Sequence, residues 1–293
     1  MIIAEVGSNH DGSLERACEY IRKAKRAGAD AVKFQFIRKN LLVSPKCNVG
    51  GRQEDYPPYA AFPLKDMPDD WIPELKSLAD SEGIEFFCTP FSLAAVDVLE
   101  AAGVKTYKIA SGDITFLPLL ETVGRTGKKV ILATGASHLE EVHVALATLH
   151  AAGCKDVVLL HCVSNYPPKW EEMNLRAIGT LSKEFGVPIG ISDHTPGSAV
   201  PVAATAFGAG VIEKHVTLDR SNPGPDHPYA MTFPEFESMV QDVAHIRLAM
   251  GSGEKCPTMA EMEKQFRMRR GIYDPVTFLP AKEGVHLRPQ HRP

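Results

Sequence analysis

Two short stretches, SDHT at 192–195 and EKH at 213–215, each put a histidine at the end of an apolar, β-like run. One helix-like segment joins the runs, so as neighbouring parallel strands they would bring His194 and His215 side by side at one edge. Neutral imidazoles placed in this way converge on a divalent cation. With two nitrogens and no supporting cysteine, the site would be open and completed by water and substrate. That suits Mn²⁺ or Mg²⁺ better than a structural Zn²⁺. A lone histidine at a strand end reads more readily as a hydrogen-bonded rim residue; the pair on adjacent strands favours the metal.

Other apolar runs carry polar residues at the same end. Side chains alternate along a strand, which puts Lys33 with Gln35, Ser192 with His194, and Glu213 with His215 on shared faces. Glu5 ends the run 2–7, Thr89 ends 85–91, Lys108 and Ser111 end 106–111, and Ser164 and Tyr166 follow 156–163. Polar groups are costly to bury unless paired or used, and so many at one end argue for use. Lys33 and Lys108 each need an anion. Glu5 or Glu213 could supply it internally, but an anionic substrate is the favoured reading, its phosphate and carboxylate held by the lysines and the Thr89, Ser111 and Ser192 hydroxyls. Asp226, in the turn NPGPDH (222–227), falls over the end of the last run, as turn residue or as ligand contact.

Eight apolar runs supply these positions: 2–7, 31–36, 85–91, 106–111, 129–135, 156–163, 188–194 and 211–217. Helix-period segments lie between them, such as 14–28 behind Ser13, 71–83 behind Asp70, 139–153, and a last one at about 233–250. Strict β-then-α order predicts a parallel sheet covered by helices. Eight units in one chain predict a closed α/β barrel of the (β/α)8 type. No GxGxxG follows any run, which argues against a dinucleotide-binding sheet. Residues 38–69 form a long insertion rich in Pro, Gly and Tyr, read as an active-site flap. Residues 251–293 show little periodicity and are read as an extended tail leaving a barrel of residues 1–250.

The totals fit this picture. The 293 residues are 44% hydrophobic and 23% charged, with a net charge of −4, so there is no nucleic-acid footprint and no membrane-surface patch. Six scattered cysteines without a CxxC pair suggest free thiols in a reducing cytoplasm. No signal peptide or membrane span is predicted.

In chain order, NHDGS (9–13), VKFQ (32–35), TPF (89–91), YKIASGD (107–113), ATG (133–135), CVSNYP (162–167), GISDHT (190–195), EKH (213–215) and NPGPDH (222–227) resemble the motifs of the sialic acid synthase family. That family includes N-acetylneuraminate, legionaminic acid and pseudaminic acid synthases and spore-coat polysaccharide proteins. The resemblance implies a (β/α)8 barrel, acting as a homodimer, that condenses phosphoenolpyruvate with an N-acetylated aminohexose to give a nine-carbon 2-keto sugar acid. It implies a metal, usually Mn²⁺, on His194 and His215. Phosphoenolpyruvate would sit on Lys33, Thr89, Lys108, Ser111, Ser192 and His194, with Glu5 near the reacting carbons. Glu5, Lys33, Lys108 and His194 are the implied catalytic set. Gln35, Asp113, Tyr166 and Asp226 match positions around the acceptor sugar. Asp113 stands where some members have Glu, and Ala133 and Ser164 replace polar residues of some relatives; Ser164 is counted with the substrate contacts. Family members commonly carry a small antifreeze-like lid domain that lends an arginine to a partner's site. Here the chain departs from that pattern: it ends at LRPQHRP, about where that domain would begin, so the sequence either stops short of the lid or belongs to a barrel lacking it, for which Arg269, Arg270 or another tail arginine could substitute. Two rivals stand beside it: a Schiff-base lysine aldolase built on Lys108, and a non-catalytic sugar- or phosphate-binding barrel.

Overall fold

The computed structural model of the chain describes residues 1–42, 44–56, 59, 66–268, 271–274, 276–277 and 279–286. They fall into two compact units, Met1–Ala249 and Met250–Pro293. The first opens with β1 (Ile2–Gly7), α1 (Leu14–Arg26) and β2 (Ala31–Phe36). A short helix α2 (Lys39–Leu42) and a hairpin of β3 (Lys46–Val49) and β4 (Arg52–Asp55) follow. The alternation then resumes with α3 (Trp71–Glu82), β5 (Glu85–Pro90), α4 (Leu93–Ala101), β6 (Thr106–Ile109) and α5 (Leu117–Arg125). It continues with β7 (Lys129–Ala133), α6 (Leu139–Ala152), β8 (Val157–Cys162), α7 (Ala177–Phe185), β9 (Ile189–Asp193) and α8 (Ala199–Ala206). β10 (Val211–Thr217), the two-residue β11 (Met231–Thr232) and α9 (Phe233–Ala249) complete it.

Eight parallel strands pair in the order β1-β2-β5-β6-β7-β8-β9-β10, and β10 pairs back onto β1. The sheet is therefore a closed (β/α)8 barrel, and each strand lies within two residues of its predicted run. Short local signals set the helix ends. Ser13 accepts from the Arg16 N–H at 3.2 Å to cap α1, and α3 stops at Gly83, whose φ of 67° a side chain would resist.

The period of two divides each strand between two cores. Outward residues such as Ile2, Ala4, Val6, Val32, Phe34 and Phe36 pack with the helices in one large cluster. Inward residues build the barrel axis in layers. Its apolar layer is Ile3, Ala31, Phe87, Ile131, Val158, Leu160 and Val211. Further toward the C-terminal strand ends, inward positions hold Glu5, Lys33, Thr89, Lys108, Ser192, Glu213 and His215, all buried. Register aligns them: Glu5 lies opposite Lys33 on one side and His215 on the other, and Ser192 lies opposite Glu213.

Residues 38–69 hold an exposed antiparallel hairpin turning at Gly50–Gly51. None of their described residues lines the barrel-end cavity described below, and residues 43, 57–58 and 60–65 of the expected flap lie outside the described residues.

In the second unit the tail is not simply extended. Residues Met259–Met268 form α10, and β12 (Ile272–Tyr273) pairs with β13 (Val285–His286). A capping box starts α10: the Glu261 N–H donates to Thr258 Oγ1 at 3.2 Å and the Thr258 N–H to Glu261 Oε2 at 2.8 Å. Its described side chains are nearly all exposed, Met259, Met262 and Met268 among them. Arg269, Arg270 and LRPQHRP (287–293) lie outside the described residues.

Gly190 in β9 tests the tightness of the barrel wall. A Cβ there would lie 2.4 Å from the Val211 carbonyl oxygen and 2.6 Å from Leu160 Cδ2. Gly190→Ala is expected to lose about 1–3 kcal/mol of stability, as overpacking does, read by urea unfolding. An unchanged midpoint would show that the wall yields there.

Candidate active site

A cavity of about 300 Å³ opens at the C-terminal end of the barrel strands. Of the predicted residues, Glu5, Lys33, Gln35, Thr89, Lys108, Ser111, Tyr166, Ser192, His194, His215 and Asp226 line it. Asp113 and Ser164 do not, although Asp113 Oδ2 and Ser164 Oγ are both buried without a hydrogen-bond partner. Burial pushes the Asp113 carboxyl up to about 6. Ser164 sits against Gly135, where an added Cβ would come within 2.2 Å of its Oγ. Cavity residues not picked out beforehand as ligand contacts include Phe91, Cys162, Glu213, Pro225 and Tyr229. Glu213 entered only as a counter-ion, and nothing in a loop sequence marks Tyr229. A larger cavity of about 450 Å³, lined by Ser137, His161 and Arg176 among others, holds none of the predicted residues.

Four charges dominate the floor. Lys33 Nζ lies 2.7 Å from Glu5 Oε2 and 3.8 Å from Glu213 Oε2, and donates to Thr89 Oγ1 at 3.3 Å. Lys108 Nζ donates to the Ile109 carbonyl at 3.2 Å and lies 3.8 Å from Glu213 Oε1. The Ser192 hydroxyl donates to Glu213 Oε1 at 2.8 Å, and Gln35 Nε2 to Glu5 Oε1 at 3.3 Å. The glutamates thus do pair with the lysines, but unequally. An ammonium has three protons to give, and Lys108 places one within hydrogen-bond range of a protein acceptor while its side chain is 4% exposed.

Burial and neighbours pull the four groups apart. Burial pushes Glu5 up to about 7 against the pull of Lys33. Burial also opposes charge on Glu213, but Lys108 and Lys33 outweigh it and hold the carboxyl down at about 2. Lys33 is lowered by burial yet ends raised through Glu213 and Glu5. Lys108 is lowered, by burial first and by Lys33 as well. The floor therefore holds one firmly ionised carboxylate, one that shares its proton near neutrality, and two lysines of which Lys33 keeps its proton more firmly.

The histidine pair stands beside this floor with ring centroids 5.3 Å apart. His194 Nδ1 is 3.2 Å from the Val163 carbonyl oxygen, which can only accept, so the neutral ring keeps Nε2 as a lone-pair donor. His215 Nδ1 is buried without a partner. Burial holds the two rings down at about 3 and about 4, the uncharged form a metal requires. These features fit a divalent cation on two imidazoles. Among the described residues no cluster of three or more His, Cys, Asp or Glu ligands occurs, so water or substrate oxygens would complete the shell.

Behind the histidines, on the helix side of the wall, a second ion pair joins the two strands. Lys214 Nζ donates to Asp193 Oδ2 at 2.5 Å and to the Thr195 carbonyl. Asp193 also accepts from the Thr195 N–H and hydroxyl, each at 2.9 Å. Both charges are buried, at 1% and 0% side-chain exposure. Lys214→Met is expected to cost roughly 3–5 kcal/mol, the penalty of stranding a buried charge, measured by denaturant unfolding. A loss below about 1 kcal/mol would mean that Asp193 finds another partner.

All six cysteines are free; Cys88, Cys154 and Cys162 are buried and Cys256 is exposed. Among the described residues no helix is long and apolar enough to cross a membrane.

Comparison with known proteins gives a consistent picture. Residues 20–255 match the model of the NeuB family. An uncharacterised protein of Methanocaldococcus jannaschii is 44% identical over 271 residues, 92% of this chain and 78% of that protein. The N,N'-diacetyllegionaminic acid synthase of Legionella pneumophila is 41% identical over 280 residues, 92% of this chain and 79% of the enzyme. Among solved structures, the N-acetylneuraminic acid synthetase of Leptospira borgpetersenii superposes with a TM-score of 0.81 at 34% identity, covering 90% of this chain and 89% of that one.

Proposed function

The chain belongs to the NeuB family, and from that premise we propose that it condenses phosphoenolpyruvate with an N-acylated aminohexose, giving a nine-carbon 2-keto sugar acid and inorganic phosphate. The observation that carries this reading is the under-partnered Lys108 ammonium, buried within the same cavity as a neutral histidine pair. One feature calls for an anion and the other for an aldehyde activator.

Lys33 and Lys108, with the Thr89, Ser111 and Ser192 hydroxyls, seat the phosphate and carboxylate of phosphoenolpyruvate. Gln35, Tyr166 and Asp226 face the open-chain sugar. C3 of the enol then bonds to the sugar's C1, water adds at C2, and the C2–O bond breaks to release phosphate. Lys33 and Lys108 stabilise the charge that develops. Glu5, with a carboxyl near neutrality, is suited to give a proton to the C1 alkoxide that the aldehyde oxygen becomes, or to take one from the water that adds at C2. His194 and His215 would hold a divalent cation, Mn²⁺ or Mg²⁺, which when bound supplies Lewis-acid polarisation of the aldehyde oxygen. Assembly as a homodimer belongs to the same reading.

The test is phosphate release from phosphoenolpyruvate with N-acetylmannosamine, its 6-phosphate or a di-N-acetylated trideoxyhexose, with and without chelator. Release is expected only with both substrates present, and to fall at least about a hundredfold in His215→Ala or under chelation. No release with any acceptor would overturn the reading, and a His215→Ala rate within about twofold of the parent would overturn the metal assignment.

A further inference from the structure

The geometry points to Tyr229 as the residue that selects the acceptor sugar, by fixing the Asp226 carboxylate and by forming the cavity wall beside the histidines; this rests on the reading just given. Tyr229 follows β10 by twelve residues and is 4% exposed. Its hydroxyl donates to Asp226 Oδ1 at 3.0 Å, while Ser8 donates to Asp226 Oδ2 at 3.3 Å. The carboxylate is thereby gripped from both sides. Its neighbour His227, wholly buried, lies 2.7 Å from Thr217 Oγ1 and 3.1 Å from Asp11 Oδ1, which ties this loop to β10 and to the loop after β1.

The ring has a second set of contacts. Its centroid lies 5.2 Å from that of His215 and 6.0 Å from that of His194, edge-on to both, and 6.0 Å from Tyr166. The Tyr166 ring lies against His194 with centroids 4.3 Å apart and planes tilted by 55°, and Tyr166 is 54% exposed. Two tyrosines therefore flank the histidine pair, one open to solvent and one buried, and both line the cavity. The lysines occupy the anion end of that cavity. The end bounded by Asp226, Tyr229 and Tyr166 is left for a polyhydroxylated, N-acylated sugar, which offers hydroxyls to a fixed carboxylate and C–H groups to aromatic rings. A buried tyrosine hydroxyl needs a partner. Here the partner is a cavity carboxylate, so the side chain reports on the ligand end of the site as well as on packing.

The experiment is steady-state kinetics on the full chain with phosphoenolpyruvate and the same three acceptors, for the parent, Tyr229→Phe, Asp226→Asn, the double variant and Tyr229→Leu. Tyr229→Phe keeps the ring and is expected to raise the acceptor KM about tenfold, the loss of a charge-assisted hydrogen bond, with the KM for phosphoenolpyruvate unchanged. The double variant is expected to be no worse than Asp226→Asn, because Tyr229 acts through that carboxylate. Tyr229→Leu is expected to change the ratio of kcat/KM between two acceptors by about tenfold or more. Equal rises in both KM values, multiplying effects in the double variant, or unchanged acceptor ratios would overturn the inference while leaving an active parent enzyme. A parent inactive with every acceptor would overturn both the inference and the reading beneath it.

Discussion

Two lysine ammonium groups inside a barrel must be compensated, and the rest of the site follows from how that is done. Lys33 on β2 and Lys108 on β6 face inward with β5 between their strands, and the acids in reach are Glu5 and Glu213. Charges near 4 Å apart, as Glu213 is from both lysines, attract by roughly 4 kcal/mol at an effective dielectric of about 20, which opposes the neutralising effect of burial. Glu213 stays ionised because both lysines bear on it, whereas Glu5 shares its proton near neutrality. The layer is thus poised between internal neutrality and a net positive charge.

The barrel makes this arrangement through register alone. Each inward strand position alternates with a helix-facing one, so a single apolar layer at Ile3, Phe87, Ile131 and their neighbours sets the next inward layer as the floor of the site. The outward neighbours are used as well. Asp193 and Lys214 stand immediately before His194 and His215, and their ion pair binds the two strands that present the imidazoles. A polar network on the helix side thereby holds the spacing of the pair on the cavity side.

Much of this was legible in the sequence because period-two patterning and strand ends are local signals. The eight strands, the inward lysines and the adjacent histidines follow from spacing, and nine collinear motifs reinforce them. The misses have physical causes. Charge partners depend on cross-strand distances, so Lys33 could be paired with Glu5 only in three dimensions. Tyr229 lies in a turn, where no periodicity assigns a face, and its position depends on Asp226 and the two histidines. The hairpin in 46–55 is exposed and carries no buried face, and α10 is a short helix whose Met259 and Met262 are themselves exposed. Their signals were instead turn and cap chemistry: Gly50–Gly51 for the hairpin, and Thr258 with Glu261 for the helix.

The central claim is that the lysine–glutamate layer is a seat for phosphoenolpyruvate. Calorimetric titration with phosphoenolpyruvate alone, without sugar, tests it most directly on the parent chain and on Lys108→Met. Binding is expected in the parent and weakening by at least about thirtyfold in the variant, as for removal of one member of a buried charge pair. Binding in Lys108→Met within about twofold of the parent, or none in either protein, would contradict the claim.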